Sequence, residues 1–253
     1  MDLGLKDKVA LVTGAGSQIG FGRAIAVTLA KEGCNIISAD MDVEGAKKTA
    51  EEVKGLGVKA IAVKVDISKN DEVQEMVKAS IAEFGKIDIL VNNAGILSNN
   101  KVTNTSYEEW DRVLKVNLSG AFYLSKALIP GMKERKWGRI VNTCSLASKT
   151  GGITAGTAYS TSKGALVALT FSLAAETASF GITVNGIAPA YVRTPMVTDQ
   201  LTESQREQLL QKIPVHRFCE PEEFVHVVKF LVHPLAGFIT GEIIDQNGGL
   251  HFD

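Results

Sequence analysis

Short apolar runs alternate along the whole chain with longer segments in which apolar residues recur at helical spacing. After the first run, Ile25, Ala26, Leu29 and Ala30 fall on one stripe of a helix. The same pattern predicts strands at residues 8–13, 35–39, 59–65, 87–91, 139–143 and 182–188, and helices at residues 23–31, 43–56, 71–84, 110–133 and 159–179.

This alternation, with strands that are apolar on both faces, favours an α/β fold in which a doubly wound, mainly parallel sheet carries helices on both faces. No Ser/Pro-rich linker or block of charge divides the chain, so we predict one domain over residues 1–253. The polar segment at about 194–214 is interpreted either as a lid over the substrate or as an exposed helix without a special role. Ligands of such sheets bind beyond the carboxyl ends of the strands, where the winding reverses.

Composition and charge exclude several classes of protein. With 253 residues, 45% of them hydrophobic, the chain buries enough surface to fold without disulfides or a structural metal. Its 27 Lys+Arg and 28 Asp+Glu give a net charge of -1, which offers no footprint for nucleic acid or an anionic membrane. No apolar run approaches the ~20 residues of a membrane span. The cysteines and histidines lack disulfide or metal-ligand spacing and no secretion signal opens the chain, so we expect a cytoplasmic protein without a metal site.

Glycines connect the first strand to the first helix, in the sequence TGAGSQIGFG at residues 13–22. Such glycines let the backbone approach a pyrophosphate at the N-terminus of the helix. Asp40 ends the second strand, 18 positions after Gly22, where a carboxylate accepts hydrogen bonds from both ribose hydroxyls of an adenosine and repels a 2′-phosphate. The pattern therefore predicts NAD(H) rather than NADP(H). Asp66, after the third strand, would contact the adenine, and either carboxylate has the alternative of capping the next helix.

Tyr159 and Lys163 are spaced by one helical turn, so both side chains lie on the same face of the predicted helix, and Ser145 follows the preceding strand. Oxidation of an alcohol needs a base for the hydroxyl proton while a hydride leaves the same carbon for nicotinamide. A free tyrosine has a pKa of ~10, so a tyrosine that acts as this base near neutral pH needs its pKa lowered by about 3 units, roughly 4 kcal/mol. A cation at about 4 Å supplies that much at an effective dielectric of ~20.

Together these residues resemble the short-chain dehydrogenase/reductase family, and the resemblance covers almost the whole chain. The family's pattern occurs at Thr13-Gly14 with Gly20 and Gly22, at residues 92–95 (NNAG), at Asn117, at Ser145, at Tyr159 with Lys163, and at Pro189 with Thr194. The resemblance implies a Rossmann-like sheet of seven mainly parallel strands and a homo-oligomer, either a tetramer or a dimer. It also implies a catalytic tetrad of Asn117, Ser145, Tyr159 and Lys163.

In the family's pattern Tyr159 is the acid/base, Lys163 lowers its pKa and binds the nicotinamide ribose, and Ser145 hydrogen-bonds the substrate oxygen. Asn117 would hold a water that passes protons from Lys163 to solvent. The structural alternatives are a strand-edge or helix-bending Asn117, a helix-capping Ser145 and a solvated Lys163. We expect coenzyme contacts from Gly14, Ser17, Gln18, Ile19, Gly20, Asp40, Asp66, Ile67, Asn93, Gly95, Tyr159, Lys163, Pro189, Val192 and Thr194.

The sequence departs from the family's pattern at two points. Five residues, instead of the usual three, separate Gly14 from Gly20, so the turn is longer and the phosphate contacts of the residues between them stay open. Ala190 replaces the glycine that usually follows Pro189, which adds a methyl group near the substrate.

The main prediction is an NAD(H)-dependent oxidoreductase that transfers a hydride between nicotinamide and a secondary alcohol or the matching ketone. One alternative is a 3-oxoacyl thioester reductase of the same family, against which Asp40 argues because those enzymes usually favour NADPH. The other is a non-catalytic dinucleotide-binding subunit. Because of Lys149 and Arg193, a substrate with an anionic group is also possible. The sequence does not fix the substrate, its stereochemistry, the direction of the reaction or the oligomeric state.

Overall fold

The computed structural model describes residues 4–152, 154–194 and 202–252. The strands in these ranges are β1 (Val9–Thr13), β2 (Asn35–Asp40), β3 (Ala60–Lys64), β4 (Ile89–Asn92), β5 (Gly138–Thr143), β6 (Ile182–Pro189) and β7 (Ile243–Gln246). The helices are α1 (Phe21–Lys31), α2 (Val43–Lys54), α3 (Asn70–Phe84), α4 (Tyr107–Leu114), α5 (Gly120–Arg135), α6 (Ala147–Thr150), α7 (Thr157–Thr177), α8 (Glu203–Lys212) and α9 (Pro221–Val232).

The strands form one sheet of seven, in the order β3-β2-β1-β4-β5-β6-β7, and every pair of neighbours is parallel. The predicted fold class is confirmed, and the sheet is parallel throughout rather than mainly so. The winding reverses between β1 and β4, so the first half of the chain builds one side of the sheet and the second half builds the other. The carboxyl ends of all these strands meet at one edge, where ligands of such folds bind.

Helices cover both faces of the sheet because side chains alternate between two apolar layers along each strand. In β1, Ala10 and Val12 pack with residues of α1, α2 and α9 in one layer. Val9 and Leu11 pack with residues of α3, α5 and α7 in the other. Burial on both faces explains why the strands read as continuous apolar runs in the sequence.

The helix predicted at residues 110–133 is interrupted in the structure. α4 ends at Leu114, a π turn covers Lys115–Ser119, and α5 begins at Gly120. A π turn holds an extra residue and rotates the helical faces that follow it. Here the turn buries the side chain of Asn117.

The segment predicted as a lid or an exposed helix is described only in part, since residues 195–201 lie outside the described residues. α8 follows at Glu203–Lys212 and starts with a capping box between Thr202 and Gln205. Leu209 of α8 belongs to a small apolar cluster, against which Tyr191 from the segment after β6 packs. α8 therefore lies beside the carboxyl edge of the sheet, and its role as a lid stays a prediction.

Gly14 and Gly22 allow α1 to pack closely against the end of β1. A Cβ atom built on Gly22 would lie 2.1 Å from the carbonyl oxygen of Gly14. Gly14 has a φ of +70°, a left-handed conformation that glycine adopts without strain. These two glycines of the turn are therefore required by backbone packing.

Gly22→Ala is expected to destabilise the protein by at least about 2 kcal/mol, because the added methyl group meets backbone that cannot move aside. Gly164→Ala is the matched control, since Gly164 also lies inside a helix but its nearest neighbour to a built Cβ is the Ser148 carbonyl oxygen at 3.9 Å. The control should gain up to about 1 kcal/mol from helix propensity. Urea unfolding followed by circular dichroism measures both changes, and equal effects would contradict the packing role of Gly22.

Candidate active site

A cleft of about 560 Å³ opens at the carboxyl edge of the sheet. The segments that follow β1 to β6 all contribute to its wall. Asp40 and Asp66 line it beyond β2 and β3, and Tyr159 and Lys163 line it beyond β5. The predicted nucleotide end and the predicted reacting end therefore share one cavity.

The Asp40 carboxylate is fixed by two backbone amides at the end of β2. The amide of Gly16 donates to its Oδ2 at 2.7 Å, and the amide of Asp42 donates to its Oδ1 at 2.9 Å. Asp42 caps α2, because its carboxylate accepts from the amide of Gly45. The capping alternative for Asp40 is therefore wrong, and its carboxylate keeps lone pairs for a ligand in the cleft.

Asp66 follows β3 and also does not cap a helix. Its Oδ1 accepts from the amide of Ser68 at 3.0 Å and from the Ser68 hydroxyl at 2.7 Å, whereas the capping position of α3 is Lys69. Ile67 lines the cleft beside it and is 8% exposed. A Cβ atom on Gly120 would lie 2.8 Å from Ile67 Cδ1, so the start of α5 holds this side chain in place.

The N-terminus of α1 fits a phosphate group. Gly20, the residue before α1, lines the cleft together with Ser17 and Phe21. In the described structure no side chain caps Gly20, and the first turn of α1 contains no acidic residue. Uncapped amides and the helix dipole at such an end favour a negative charge. These residues are therefore able to hold the pyrophosphate of a dinucleotide.

Two residues predicted to contact the coenzyme are not among the described residues that line the cleft. Gln18 Nε2 donates to the carbonyl oxygens of Gly16 and Gly45, at 2.9 Å in each case, so its amide is turned towards α2. Ile19 is 68% exposed. The lengthened turn thus contacts α2 through Gln18. In the described structure neither the Gln18 nor the Ile19 side chain contributes to the cleft wall.

Ser145, Tyr159 and Lys163 meet where β5 ends and α7 begins. Ser145 follows β5, and its hydroxyl acts on the Tyr159 phenol to lower the pKa of that group. The side chain of Lys163 is buried, with Nζ 5.7 Å from the centre of the Tyr159 ring. This Nζ donates to the carbonyl oxygen of Thr143 at 2.6 Å. Lys163 is therefore a buried group, and the alternative of a solvated charge is wrong.

Asn117 is held against the segment that follows β4. Its Oδ1 accepts from the amide of Ile96 at 2.8 Å, and its Nδ2 donates to the Ile96 carbonyl oxygen and to Ser162 Oγ, both at 3.0 Å. A Cβ atom on Gly95 would lie 3.2 Å from Asn117 Oδ1 and 3.6 Å from Lys163 Nζ. Gly95 therefore leaves the space in which these two side chains sit.

Asn117 and Ser145 also take part in the local backbone structure. Asn117 lies in the π turn between α4 and α5. Ser145 Oγ accepts from the amide of Ala147 at 3.2 Å, but the capping position of α6 is Leu146, so the helix-capping alternative for Ser145 is wrong. Ser145 lines the cleft, whereas Asn117 lies behind Gly95 and outside the described wall.

Other predicted residues tie the strand ends together or line the far wall. Asn93 Nδ2 donates to the carbonyl oxygen of Thr13 at 2.9 Å, and Thr13 Oγ1 accepts from the amide of Asn93 at 3.0 Å. After β6, the cleft is lined by Pro189, Val192 and Thr194.

Known proteins resemble this chain over nearly its full length. A family model described as Enoyl-(Acyl carrier protein) reductase matches residues 14–251. The 3-oxoacyl-[acyl-carrier-protein] reductase of Aquifex aeolicus is 40% identical over 251 residues, which cover 99% of this chain and 100% of the relative. The protein of the same name from Staphylococcus epidermidis is 38% identical over 247 residues, 97% of this chain and 99% of the relative.

Solved structures agree. NAD+-bound xylitol dehydrogenase has a TM-score of 0.89 and 34% identity, over 97% of this chain and 99% of its own. A short-chain type dehydrogenase/reductase from Mycobacterium marinum has a TM-score of 0.91 and 32% identity, over 98% of this chain and 97% of its own. The chain belongs to the short-chain dehydrogenase/reductase family. It is an oxidoreductase of that family, as the sequence analysis predicted.

Several residues of the cleft in this short-chain dehydrogenase/reductase were not singled out from the sequence, among them Phe21, Met41, Val65, Thr143 and Leu146. Each lies close to a strand end or in the first turn of a helix. Phe21 is additionally held by stacking on Phe224, with ring centroids 4.2 Å apart. Their position relative to the strand ends was the available signal, but most are apolar and carry no chemical motif that marks them as part of a site.

Burial dominates the electrostatics of the reacting end. It lowers the pKa of Lys163 to about 8 and raises the pKa of the neighbouring Cys144 thiol to about 11, which leaves that thiol inert. Burial also raises the pKa of the Tyr159 phenol, and the hydrogen bond with Ser145 only partly opposes this. Desolvation of the phenol therefore outweighs the effect of its neighbours in the chain alone, and the role of Lys163 in lowering the pKa of Tyr159 stays a prediction.

Lys163→Met tests the buried ammonium through the stability of the coenzyme-free protein. The pKa of Lys163 is lowered from 10.5 to about 8, so between these values the unfolded chain binds a proton that the folded chain has lost. The folded state therefore gains stability as the pH rises through this window. From about pH 7.5 to about pH 9.5, the wild type should gain about 2 kcal/mol over K163M in urea denaturation.

Lys78→Met, which replaces an exposed lysine of α3, is the control and should leave the pH dependence unchanged. If the difference in the free energy of unfolding between the wild type and K163M stays constant over the same pH range, the burial of a charge at Lys163 is contradicted.

Proposed function

We propose that this chain interconverts a 3-hydroxyacyl thioester and its 3-oxoacyl form with NAD(H) as the coenzyme. The observation that carries the proposal is the single cleft that joins Asp40 and the N-terminus of α1 to Ser145, Tyr159 and Lys163. The names of the relatives favour the thioester reductase, which was the alternative in the sequence analysis, over a dehydrogenase of free secondary alcohols. The proposal adopts that alternative for the substrate and keeps the predicted coenzyme.

The choice of NAD(H) rests on charge at the end of β2. A 2′-phosphate would meet the Asp40 carboxylate, which the Gly16 amide holds at the cleft. Arg23, a cation at the start of α1, donates to the Glu52 carboxylate at 2.7 and 2.6 Å and is thus engaged elsewhere. The xylitol dehydrogenase of similar structure holds NAD+, which supports the same choice here.

The roles proposed for the reacting residues combine their positions in the cleft with the pattern of the family. Tyr159 exchanges the proton of the substrate hydroxyl, and Ser145, whose hydroxyl lowers the pKa of this phenol, donates to the substrate oxygen. Lys163 binds the nicotinamide ribose and passes the proton on to solvent past Asn117. When bound, the nicotinamide accepts or supplies the hydride, and its oxidised ring adds the positive charge that the phenol needs for ionisation.

Apolar side chains of the cleft wall favour an apolar substrate group. Leu97, Leu146 and Ala155 are among the residues that line the cleft. The two cations that could bind an anionic group of the substrate are both in ion pairs. Lys149 pairs with Asp245 at 2.6 Å, and Arg193 pairs with Glu220 at 2.9 Å. An acyl chain gains free energy from such walls, whereas each hydroxyl of a polyol would need a polar partner there.

A dehydrogenase of a free secondary alcohol is the second candidate. It is favoured by the similarity to NAD+-bound xylitol dehydrogenase and by Asp40.

A homo-oligomer, either a tetramer or a dimer, and a cytoplasmic location also belong to the proposal. In the described part of the chain, no helix is long and apolar enough to cross a bilayer, and no cluster of three or more His, Cys, Asp or Glu side chains is placed to hold a metal ion.

Tyr159→Phe is expected to lower turnover at least about 1,000-fold, because it removes the only hydroxyl proposed to exchange the substrate proton. Binding of NADH, measured by fluorescence titration, should change by less than about threefold, since the ring is kept. Tyr107→Phe, at an exposed tyrosine of α4, is the matched control. Unchanged turnover in Y159F would reject the mechanism.

A panel of 3-oxoacyl thioesters, cyclic alcohols and polyols, assayed by NADH absorbance, tests the substrate. We expect thioesters to have kcat/KM values at least about tenfold higher than those of polyols, because of the apolar wall. Higher values for free alcohols would favour the second candidate, and no turnover of any compound would indicate the non-catalytic subunit.

Asp40→Ala is expected to reduce the preference for NADH over NADPH by about tenfold or more, because the carboxylate no longer bonds the ribose or repels a phosphate. The ratio of the two kcat/KM values is the measurement. A wild type that uses NADPH at least as well as NADH would overturn the proposed coenzyme.

A further inference from the structure

We propose that Gln18 and Thr49 position the Asp40 carboxylate and thereby set the preference for NADH, although neither side chain belongs to the described wall of the cleft. The inference rests on the proposed use of NAD(H). It assigns to Gln18 a positioning role in place of the coenzyme contact expected from the sequence.

The first step is the direct contact between the glycine turn and Asp40. The amide of Gly16 donates to Asp40 Oδ2 at 2.7 Å. A Cβ atom on Gly16 would lie 2.8 Å from Asp40 Cγ and 2.9 Å from the carbonyl oxygen of Asp42. No side chain separates the turn from the carboxylate, so a displacement of the backbone at Gly16 moves or frees Asp40.

The second step is the hydrogen bond that Gln18 forms with Gly16. Its Nε2 donates to the carbonyl oxygen of Gly16 and to that of Gly45, both at 2.9 Å, and lies 3.5 Å from Thr49 Oγ1. The donor orientation of the amide is fixed, because two of its neighbours are carbonyl oxygens that only accept. Gln18 thus holds the carbonyl oxygen of Gly16, while the amide of the same residue binds Asp40.

The third step anchors this arrangement to α2. Thr49 is fully buried, and its hydroxyl donates to the carbonyl oxygen of Ala15 at 2.7 Å. Gly45 permits the close approach of the helix, since a Cβ atom there would lie 2.2 Å from the carbonyl oxygen of Gly16. Ala15 and Gly16 of the turn are therefore tied to α2 through Thr49, Gly45 and Gln18.

The length of the turn makes these ties necessary. Five residues separate Gly14 from Gly20, and a longer turn has more conformations in which the Gly16 amide does not face Asp40. A displaced carboxylate loses its bonds to the ribose hydroxyls of NADH. It also loses its repulsion of the 2′-phosphate of NADPH, so the two coenzymes respond in opposite directions.

Gln18→Met and Thr49→Val test the inference through steady-state kinetics with both coenzymes. Methionine keeps the length of the side chain without the amide, and valine keeps the shape of threonine without the hydroxyl. In each variant the ratio of kcat/KM for NADH to that for NADPH should fall about fivefold to tenfold. The change should come from a higher KM for NADH, with kcat within about twofold, because no group of the reacting end is altered.

Two controls separate this role from a general loss of structure. Thr49→Ser keeps the hydroxyl and should keep the wild-type ratio. Glu52→Ala removes the exposed pair between α1 and α2, Arg23 with Glu52, without touching the turn, and should also keep it. Lower melting temperatures in Q18M and T49V with an unchanged ratio would show a merely structural role and overturn the inference. A wild type without a preference for NADH would overturn the proposed coenzyme and this inference together.

Discussion

The parallel pairing of β1 with β4 is the constraint on which the site depends. These neighbouring strands belong to opposite windings of the sheet, and their register brings Val12 level with Val91. Immediately beyond it, Thr13 and Asn93 bond each other's backbones and close the gap between the two strand ends. The first winding supplies groups that suit a nucleotide and the second supplies groups that suit proton transfer. Only this junction places them along one cleft.

Desolvation is the main energetic feature of the reacting end. The ammonium of Lys163 is bonded to the carbonyl oxygen of Thr143 and has no carboxylate among its described hydrogen-bond partners. Burial penalises the charged forms of both Lys163 and Tyr159, so the chain alone holds this pair in an unfavourable state for ionisation. In the proposed reaction, coenzyme binding and activation of the phenol are therefore coupled, because the missing positive charge arrives with the oxidised nicotinamide.

The nucleotide end depends on backbone more than on side chains. Glycines bring peptide groups within contact distance of one another and of Asp40, and the amide at Gly16 is the one that orients the carboxylate. A turn built in this way has little stability of its own. Contacts from α2, a helix outside the cleft wall, supply the rigidity, and this explains how residues such as Thr49 influence the site without reaching it.

The sequence by itself determined the alternation of strands and helices, the parallel sheet, the acidic end of β2 and the one-turn spacing of Tyr159 and Lys163. These are local features, fixed by periodicity and by the order of residues along the chain. The tertiary structure decided the direction of the Gln18 amide, the π turn around Asn117 and the raised pKa of Tyr159. Each of these depends on a partner distant in sequence or on the exclusion of water by several segments at once, and neither quantity is encoded in the spacing of residues.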